Sequence, residues 1–339
     1  MHATIQQIAC HLPSTVLTND ELAPLAEHWT PEKIFEKTGI RERRLAGAEE
    51  CASDLAFAAA ERLFTESSLE RSQVDYVLFC TQLPDYPLPT SACVLQDRLQ
   101  LPQSCGALDF NLGCSGYVYG LGLAQGLIES GQADNVLLLT GETYSKVLRH
   151  DDVGVRTLFG DAGTATWLQG VAGEGKSLGP YVYGSDGRGA ANLMLRRHSW
   201  REAAIPVSSA DLTVDNLIDE ACWLTMNGPE IFTFTLRAVP AAVKSLLQRA
   251  ERHLDEIDLF VFHQANRYML THLRDKLGIP EEKFVIAMEH VGNTVSNSIP
   301  LALKTARESG QLKAGQLVML VGFGVGYSWG ACLVRWNKA

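Results

Sequence analysis

The chain has 339 residues, 29 Lys and Arg against 39 Asp and Glu, a formal net charge of −10, and 46% hydrophobic residues. That composition supports a large packed core, excludes a disordered chain, and argues against general binding to nucleic acid or an anionic membrane. The opening MHATIQQIAC has no basic stretch leading into an apolar run, and no uninterrupted apolar segment reaches the length of a membrane span, so a cytoplasmic protein with no membrane partner is expected.

From the N-terminus, TPEKIFEKTGIRERR gathers Lys33, Lys37, Arg41, Arg43 and Arg44, an island of positive charge on an acidic chain. AFAAAERLFTESSLERSQVDYVLFCTQ then reads as a helix, a short polar link and an apolar strand, and DFNLGCSGYVYGLGLAQGLIESGQ (109–132) as a strand giving way to a long apolar helix, with Cys114 at the junction. The apolar run NVLLLTG follows. In the second half, RAVPAAVKSLLQRAERHLDEIDLFVFHQ repeats the helix–link–strand pattern and ends at His263 and Gln264. The tetrapeptide ESGQ at 129 returns at 308, an offset of 179 (308 − 129), and Gly113-Cys114 matches Gly292-Asn293 at the same offset. Thr81 and His263 therefore occupy equivalent strand ends.

Strands alternating with helices, with apolar runs suited to burial on both faces, predict α/β architecture with mainly parallel sheets. The repeat divides the chain into halves, 1–172 and 173–339, related by a pseudo-twofold. That relation brings Cys114 and Asn293 to matching helix starts, near the strand end that carries His263. A helix N-terminus favours a thiolate, so Cys114 is expected below the ordinary thiol value of about 8.5. Its own N–H can donate to a developing oxyanion, His263 can act as donor or base, and Asn293 is a neutral double donor suited to an enolate oxygen.

The eight cysteines (Cys10, Cys51, Cys80, Cys93, Cys105, Cys114, Cys222 and Cys332) form no CxxC pair and have no His at ligand spacing. Neither a metal site nor a disulfide framework is expected, and the default role of each is a small buried hydrophobe. Gly322, Gly324 and Gly326 suit a tight turn whose backbone faces a ligand. As a phosphate loop this stretch fails, because no Lys-Ser/Thr pair follows and the next segment reads as a strand.

The motifs LGCSGYVYGL, FGDAGTATWL, MNGPEIFTF, HQANRYML, VGNTVSNSIPLAL and FGVGYSWGACLVRW, together with GIRERR, resemble in order those of β-ketoacyl-acyl-carrier-protein synthase III of the thiolase superfamily. The resemblance runs from about residue 5 to residue 336. It implies a duplicated five-layered αβαβα fold, a homodimer and a Cys114-His263-Asn293 triad. Cys114 would be acylated by a thioester, with the N–H groups of Cys114 and Val325 as the oxyanion hole. His263 and Asn293 would then hold a malonyl thioester while it decarboxylates and condenses with the acyl group. No cofactor is implied. Val325 departs from the glycine common at its position, which narrows the backbone choices there.

The same resemblance assigns Leu88, with Tyr86 beside it in YPLPTSAC, to the acyl pocket across the dimer. It also assigns Lys33, Lys37, Asn266 and Arg267 to the rim that receives a coenzyme A or carrier-protein donor. The flat clamp for adenine is missing: its positions read Lys33, Lys37 and Val153, with Trp29 and Arg156 as the nearest substitutes. Lys cannot reproduce the planar stacking of Arg, so an acyl carrier protein is the expected partner.

Other readings fit less well. A papain-like hydrolase shares the order Cys, His, Asn and a spacing of 149 (263 − 114), but not the repeat, and no CGSCW-like sequence is present. Hydroxymethylglutaryl-CoA synthase needs a Glu where the chain has Gln82. A non-condensing acyltransferase would have no need of both His263 and Asn293.

Overall fold

The computed structural model describes residues 1–173, 175–196 and 223–337; Cys222 lies outside them. The first half runs β1 (His2–His11), β2 (Thr15–Thr18), α1 (Asn19–Leu22), α2 (Pro31–Thr38), β3 (Glu42–Leu45), α3 (Ala52–Glu66), β4 (Tyr76–Cys80), α4 (Ser91–Arg98), β5 (Gly106–Phe110), α5 (Gly116–Glu129), β6 (Asn135–Glu142), α6 (Val153–Arg156) and β7 (Ala162–Val171). The second runs β8 (Leu178–Ser185), β9 (Leu193–Met194), β10 (Thr225–Met226), α7 (Gly228–Ala250), β11 (Leu259–Phe262), α8 (Arg267–Leu277), α9 (Ser298–Glu308), β12 (Leu317–Gly324) and β13 (Ser328–Arg335).

Two large sheets repeat one topology. The first has the order β1-β7-β6-β4-β5 and the second β8-β13-β12-β11, with a parallel bridge from Phe260 to Phe284 where a fifth strand would lie. Both sheets are mixed, not mainly parallel: β4 pairs parallel with β5 and β6, and β11 with β12, while β7 and β13 run against their neighbours. The reason is visible at β12–β13, where the short turn 325–327 is too brief for a crossover and permits only antiparallel return.

The apolar runs are continuous because both sheet faces are covered. Val136 and Leu138 of β6 face a central core with Tyr117 and Leu121 of α5, Ala302 and Leu303 of α9, and Val318 and Leu320 of β12. Leu137 and Leu139 face the opposite way, onto α3 and α4, while Met319 and Val321 of β12 face α7 and α8. The layers are thus helix, sheet, paired helices α5 and α9, sheet, helix: a thiolase-like five-layered αβαβα fold. The repeat is visible in the helix pair as well. α5 ends at Glu129 and α9 at Glu308, the sequence offset of 179, although a 3-10 turn over Val295–Asn297 replaces the first turn of α9. This register places Cys114 just before α5, Asn293 just before the 3-10 turn, and His263 immediately after β11.

Candidate active site

Cys114 is 5% exposed and packs against the end of β12. A Cβ at Gly322 would lie 2.8 Å from the Cys114 carbonyl oxygen, and one at Gly324 would lie 2.7 Å from its Sγ, so only glycine lets the two segments approach. Around the thiol, Tyr144, Val147, Leu148, Val155, Phe159 and Val295 form an apolar cluster. That cluster reverses the expectation for the nucleophile: burial pushes the Cys114 thiol up to about 12, with Glu142 adding to the rise. The backbone amides of Val325 and of Cys114 itself pull the other way, so donors are in place for a negative charge, but they do not outweigh desolvation. Burial therefore favours the thiol form of Cys114.

His263 is buried at the end of β11, its N–H donating to the Val321 carbonyl at 2.8 Å. Its Nδ1 shares a hydrogen bond of 2.7 Å with Ser298 Oγ, and its ring meets Phe323 edge-on at 5.4 Å. Burial pulls the imidazole down to about 3, against a smaller opposing effect from the Val295 backbone, so the ring is neutral at physiological pH.

Asn293 is fixed on both sides. Its N–H donates to Leu158 O at 2.8 Å and its carbonyl accepts from Gly160 N at 3.0 Å. Gly292, at φ +74°, makes the approach possible, since a Cβ there would crowd Leu158 O. The side-chain Oδ1 accepts from Val295 N–H at 3.0 Å. With the oxygen engaged, the amide NH2 is the group left to act on a ligand. Val295 thus links the three residues: its N–H holds Asn293, its backbone reaches His263, and its side chain packs in the Cys114 cluster.

Sequence reasoning missed Ser298 and the buried Glu142. The signal for the first lies in VGNTVSNSIPLAL, where Thr294, Ser296, Asn297 and Ser298 are polar residues in a segment about to enter a doubly buried helix, and all four are buried. Gln82 accepts from the Tyr144 hydroxyl at 2.5 Å and, being an amide, cannot serve as a base.

The outlying site residues fall differently. Leu88 is 81% exposed and Tyr86 58% exposed, and the described cluster around Cys114 includes neither. Of the residues assigned to the rim, Arg267 shares Phe35 with Arg41, the two guanidinium groups lying 4.8 and 3.9 Å from the ring centroid, while Lys37 lies over Trp29 and Lys33 bonds the His28 carbonyl. Asn266 caps α8, accepting from Met269 N at 2.8 Å. Arg43, however, is no rim residue. It is wholly buried, its guanidinium bonded to Asn19 Oδ1 at 2.7 Å and to the Thr157 carbonyl. Nor are Arg41 and Arg267 unopposed, since both pair with Glu289, at 2.6 and 3.2 Å. Among the described residues, no helix is long and apolar enough to cross a membrane and no group of His, Cys, Asp or Glu could hold a metal ion.

The chain and its fold have relatives among known proteins. Residues 108–187 match the family model for 3-oxoacyl-[acyl-carrier-protein] synthase III, and residues 247–336 match the model for its C-terminal part. The chain is 35% identical to β-ketoacyl-[acyl-carrier-protein] synthase III of Oceanobacillus iheyensis, over 97% of both chains. Among solved structures it resembles a 3-oxoacyl-(acyl-carrier-protein) synthase III at 53% identity and a TM-score of 0.94, covering 99% of this chain and 100% of that one. It also resembles a 3-oxoacyl-(acyl-carrier protein) synthase from Burkholderia xenovorans LB400 at 37% identity and a TM-score of 0.90, covering 99% and 95%.

Proposed function

Since the chain belongs to the β-ketoacyl-acyl-carrier-protein synthase III family and is a condensing acyltransferase of that type, we propose that Cys114, His263 and Asn293 carry its two half-reactions. In the first, Cys114 sulfur attacks an acyl thioester, the carbon–sulfur bond to the donor breaks, and the thiol proton of Cys114 leaves on the departing thiol. The N–H groups of Cys114 and Val325 stabilise the intermediate oxyanion, an interaction worth about 3–4 kcal/mol per donor in comparable sites.

In the second half-reaction, a malonyl thioester places its carbonyl oxygen between neutral His263 and the Asn293 NH2. These donors hold the negative charge that develops as the carboxylate leaves as carbon dioxide. The enolate carbon attacks the acyl carbonyl, the bond to Cys114 sulfur breaks, and one proton is taken up as the thiol is restored. Uncharged donors suit this step, because a cation would bind the malonyl carboxylate and resist its loss. The reading extends to an acyl carrier protein as partner, a homodimer with Leu88 and Tyr86 reaching the partner's acyl pocket, and no metal or organic cofactor.

The observation that best supports this assignment is the held Asn293 amide, whose oxygen is occupied by Val295 N–H and whose NH2 is left as a donor. The test is to incubate the protein with a panel of acyl thioesters, weigh the Cys114 adduct by intact mass, then add malonyl carrier-protein thioester and follow carbon dioxide and β-ketoacyl product. An adduct that forms and is consumed only with malonyl thioester supports the assignment. An adduct lost to water at the same rate without it refutes it.

A further inference from the structure

Glu142, the last residue of β6, is wholly buried and has no role in the chemistry above. Its two carboxyl oxygens hold two different segments. Oε1 shares a hydrogen bond of 2.8 Å with Ser296 Oγ, in the turn that joins Asn293 to Ser298. Oε2 accepts from the backbone N–H of Gln82 at 3.2 Å. The Gln82 side chain in turn takes the Tyr144 hydroxyl and lies so close to Gly113, the neighbour of Cys114, that no Cβ fits between them. One carboxyl group therefore bridges the nucleophile's surroundings and the turn that aims the other two residues.

That turn needs holding. Val295, whose N–H orients Asn293, is β-branched and sits at φ +55°, a backbone region unfavourable for such a residue. Strain of this kind persists only where the surroundings over-determine it. Each of the next three residues is clamped: Ser296 by Glu142, Asn297 by the Thr140 hydroxyl at 2.6 Å, and Ser298 by His263.

We propose that Glu142 is a positioning residue for condensation, fixing the Asn293–Ser298 turn against the Cys114 segment so that Asn293 and His263 meet the malonyl carbonyl. This rests on the condensing reading above. Acylation depends chiefly on Cys114 and its adjacent amides, so the two half-reactions should respond differently.

The charge state of Glu142 supplies a second signature. The carboxyl faces Cys114, Cys80, Tyr144 and Asp161, and burial, with Asp161 adding to it, pushes it up to about 8. The carboxyl accepts from the Ser296 hydroxyl and from the Gln82 N–H, and burial favours its uncharged form as the pH falls through neutrality. A glutamine amide keeps the acceptor for the Gln82 N–H and offers its NH2 to Ser296 Oγ, which accepts once its hydroxyl rotates away.

The experiment measures acyl-Cys114 formation by intact mass and carbon dioxide release from malonyl carrier-protein thioester, from pH 6 to 9.5, in the parent, Glu142→Gln, Glu142→Ala and Ser296→Ala. Glu142→Ala should slow decarboxylation about a hundredfold and acylation less than threefold. Glu142→Gln should stay near the parent at pH 7 and lose less activity than the parent above pH 8. Ser296→Ala, which keeps the carboxyl, should slow decarboxylation about tenfold and serves where Glu142→Ala fails to fold. Equal losses in both half-reactions, no loss in either, or a glutamine variant as slow as alanine would overturn the proposal. A parent that neither acylates nor decarboxylates would instead refute the functional reading beneath it.

Discussion

His263 Nδ1 and Ser298 Oγ lie 2.7 Å apart, which ties the imidazole at the end of β11 to the first turn of α9. Ser298 Oγ also accepts from the Gln264 N–H at 3.3 Å, so one hydroxyl fixes both the ring and the peptide beside it. Ser298→Ala should lower the condensation kcat about tenfold, the value of one hydrogen bond of about 1–1.5 kcal/mol, and leave acyl-Cys114 formation within twofold. Ser298→Thr, which keeps the hydroxyl, should restore much of the loss. Equal slowing of both half-reactions by Ser298→Ala would show that the hydroxyl does not act through His263.

The triad itself should divide by step. Cys114→Ala removes the sulfur proposed to hold the acyl group, so no adduct mass should appear. Asn293→Ala takes one donor from the enolate oxygen, which costs about a hundred- to a thousandfold in decarboxylation while the adduct still forms. Intact mass spectrometry before and after malonyl thioester separates the two phenotypes. A parent-like condensation rate in Asn293→Ala would remove Asn293 from the site.

The buried thiol predicts an alkylation profile. With burial raising Cys114 to about 12, the thiolate fraction is small at neutral pH and climbs with every unit of alkali. Iodoacetamide labelling of Cys114, read by peptide mass, should keep accelerating through pH 9. A plateau reached below pH 7 would mean that the helix N-terminus and the Val325 amide prevail over desolvation after all.

His263 makes acid stability a further test. Its folded value, about 3, lies below the ordinary imidazole value of about 6.5, so between those limits the unfolded chain binds more protons than the folded one. His263 therefore contributes to stability that is full above pH 6.5 and is lost as the pH falls toward 3. Urea midpoints at pH 7 and pH 4.5 should fall less steeply for His263→Gln than for the parent. Parallel slopes would mean that the imidazole is already hydrated and charged in the folded protein.

Much of this site was legible because the chain is duplicated. The offset shared by ESGQ and by the Gly-X steps located Cys114 and Asn293 by symmetry, and the strand ending in His263 followed from the helix–link–strand echo. What could not be read from residue types was the balance of opposing effects. A cysteine at a helix start suggests a thiolate, yet Tyr144, Phe159 and Val155, which desolvate it, come from separate loops and short elements that periodicity does not bring together. Arg43 reads as one more surface charge in GIRERR, and only the tertiary structure supplies the Asn19 and Thr157 oxygens that let it be buried. The parallel-sheet expectation failed at β7 and β13 because an apolar run reports burial on two faces and says nothing of strand direction.

The pairing of Glu289 with Arg41 and Arg267 yields the last prediction. A carrier protein recognised through its acidic helix would be drawn to the positive rim around Phe35, but one carboxylate already opposes two of its guanidinium groups. Exposed pairs of this kind contribute about 0–1 kcal/mol to stability, so Glu289→Gln should leave the melting temperature nearly unchanged. Its effect should instead be on encounter. Freeing two positive charges raises the field at the rim, and steering of this kind acts on association rate and is screened over about 10 Å at 0.1 M salt. Acylation of Cys114 from a carrier-bound thioester should therefore quicken severalfold at low salt in Glu289→Gln, and the gain should vanish near 0.5 M salt. The same acyl group on coenzyme A, whose small anionic head also senses the rim but lacks the extended acidic helix, should gain less. A larger gain for the coenzyme A ester, or one that survives high salt, would show that the rim serves the nucleotide and not a carrier protein.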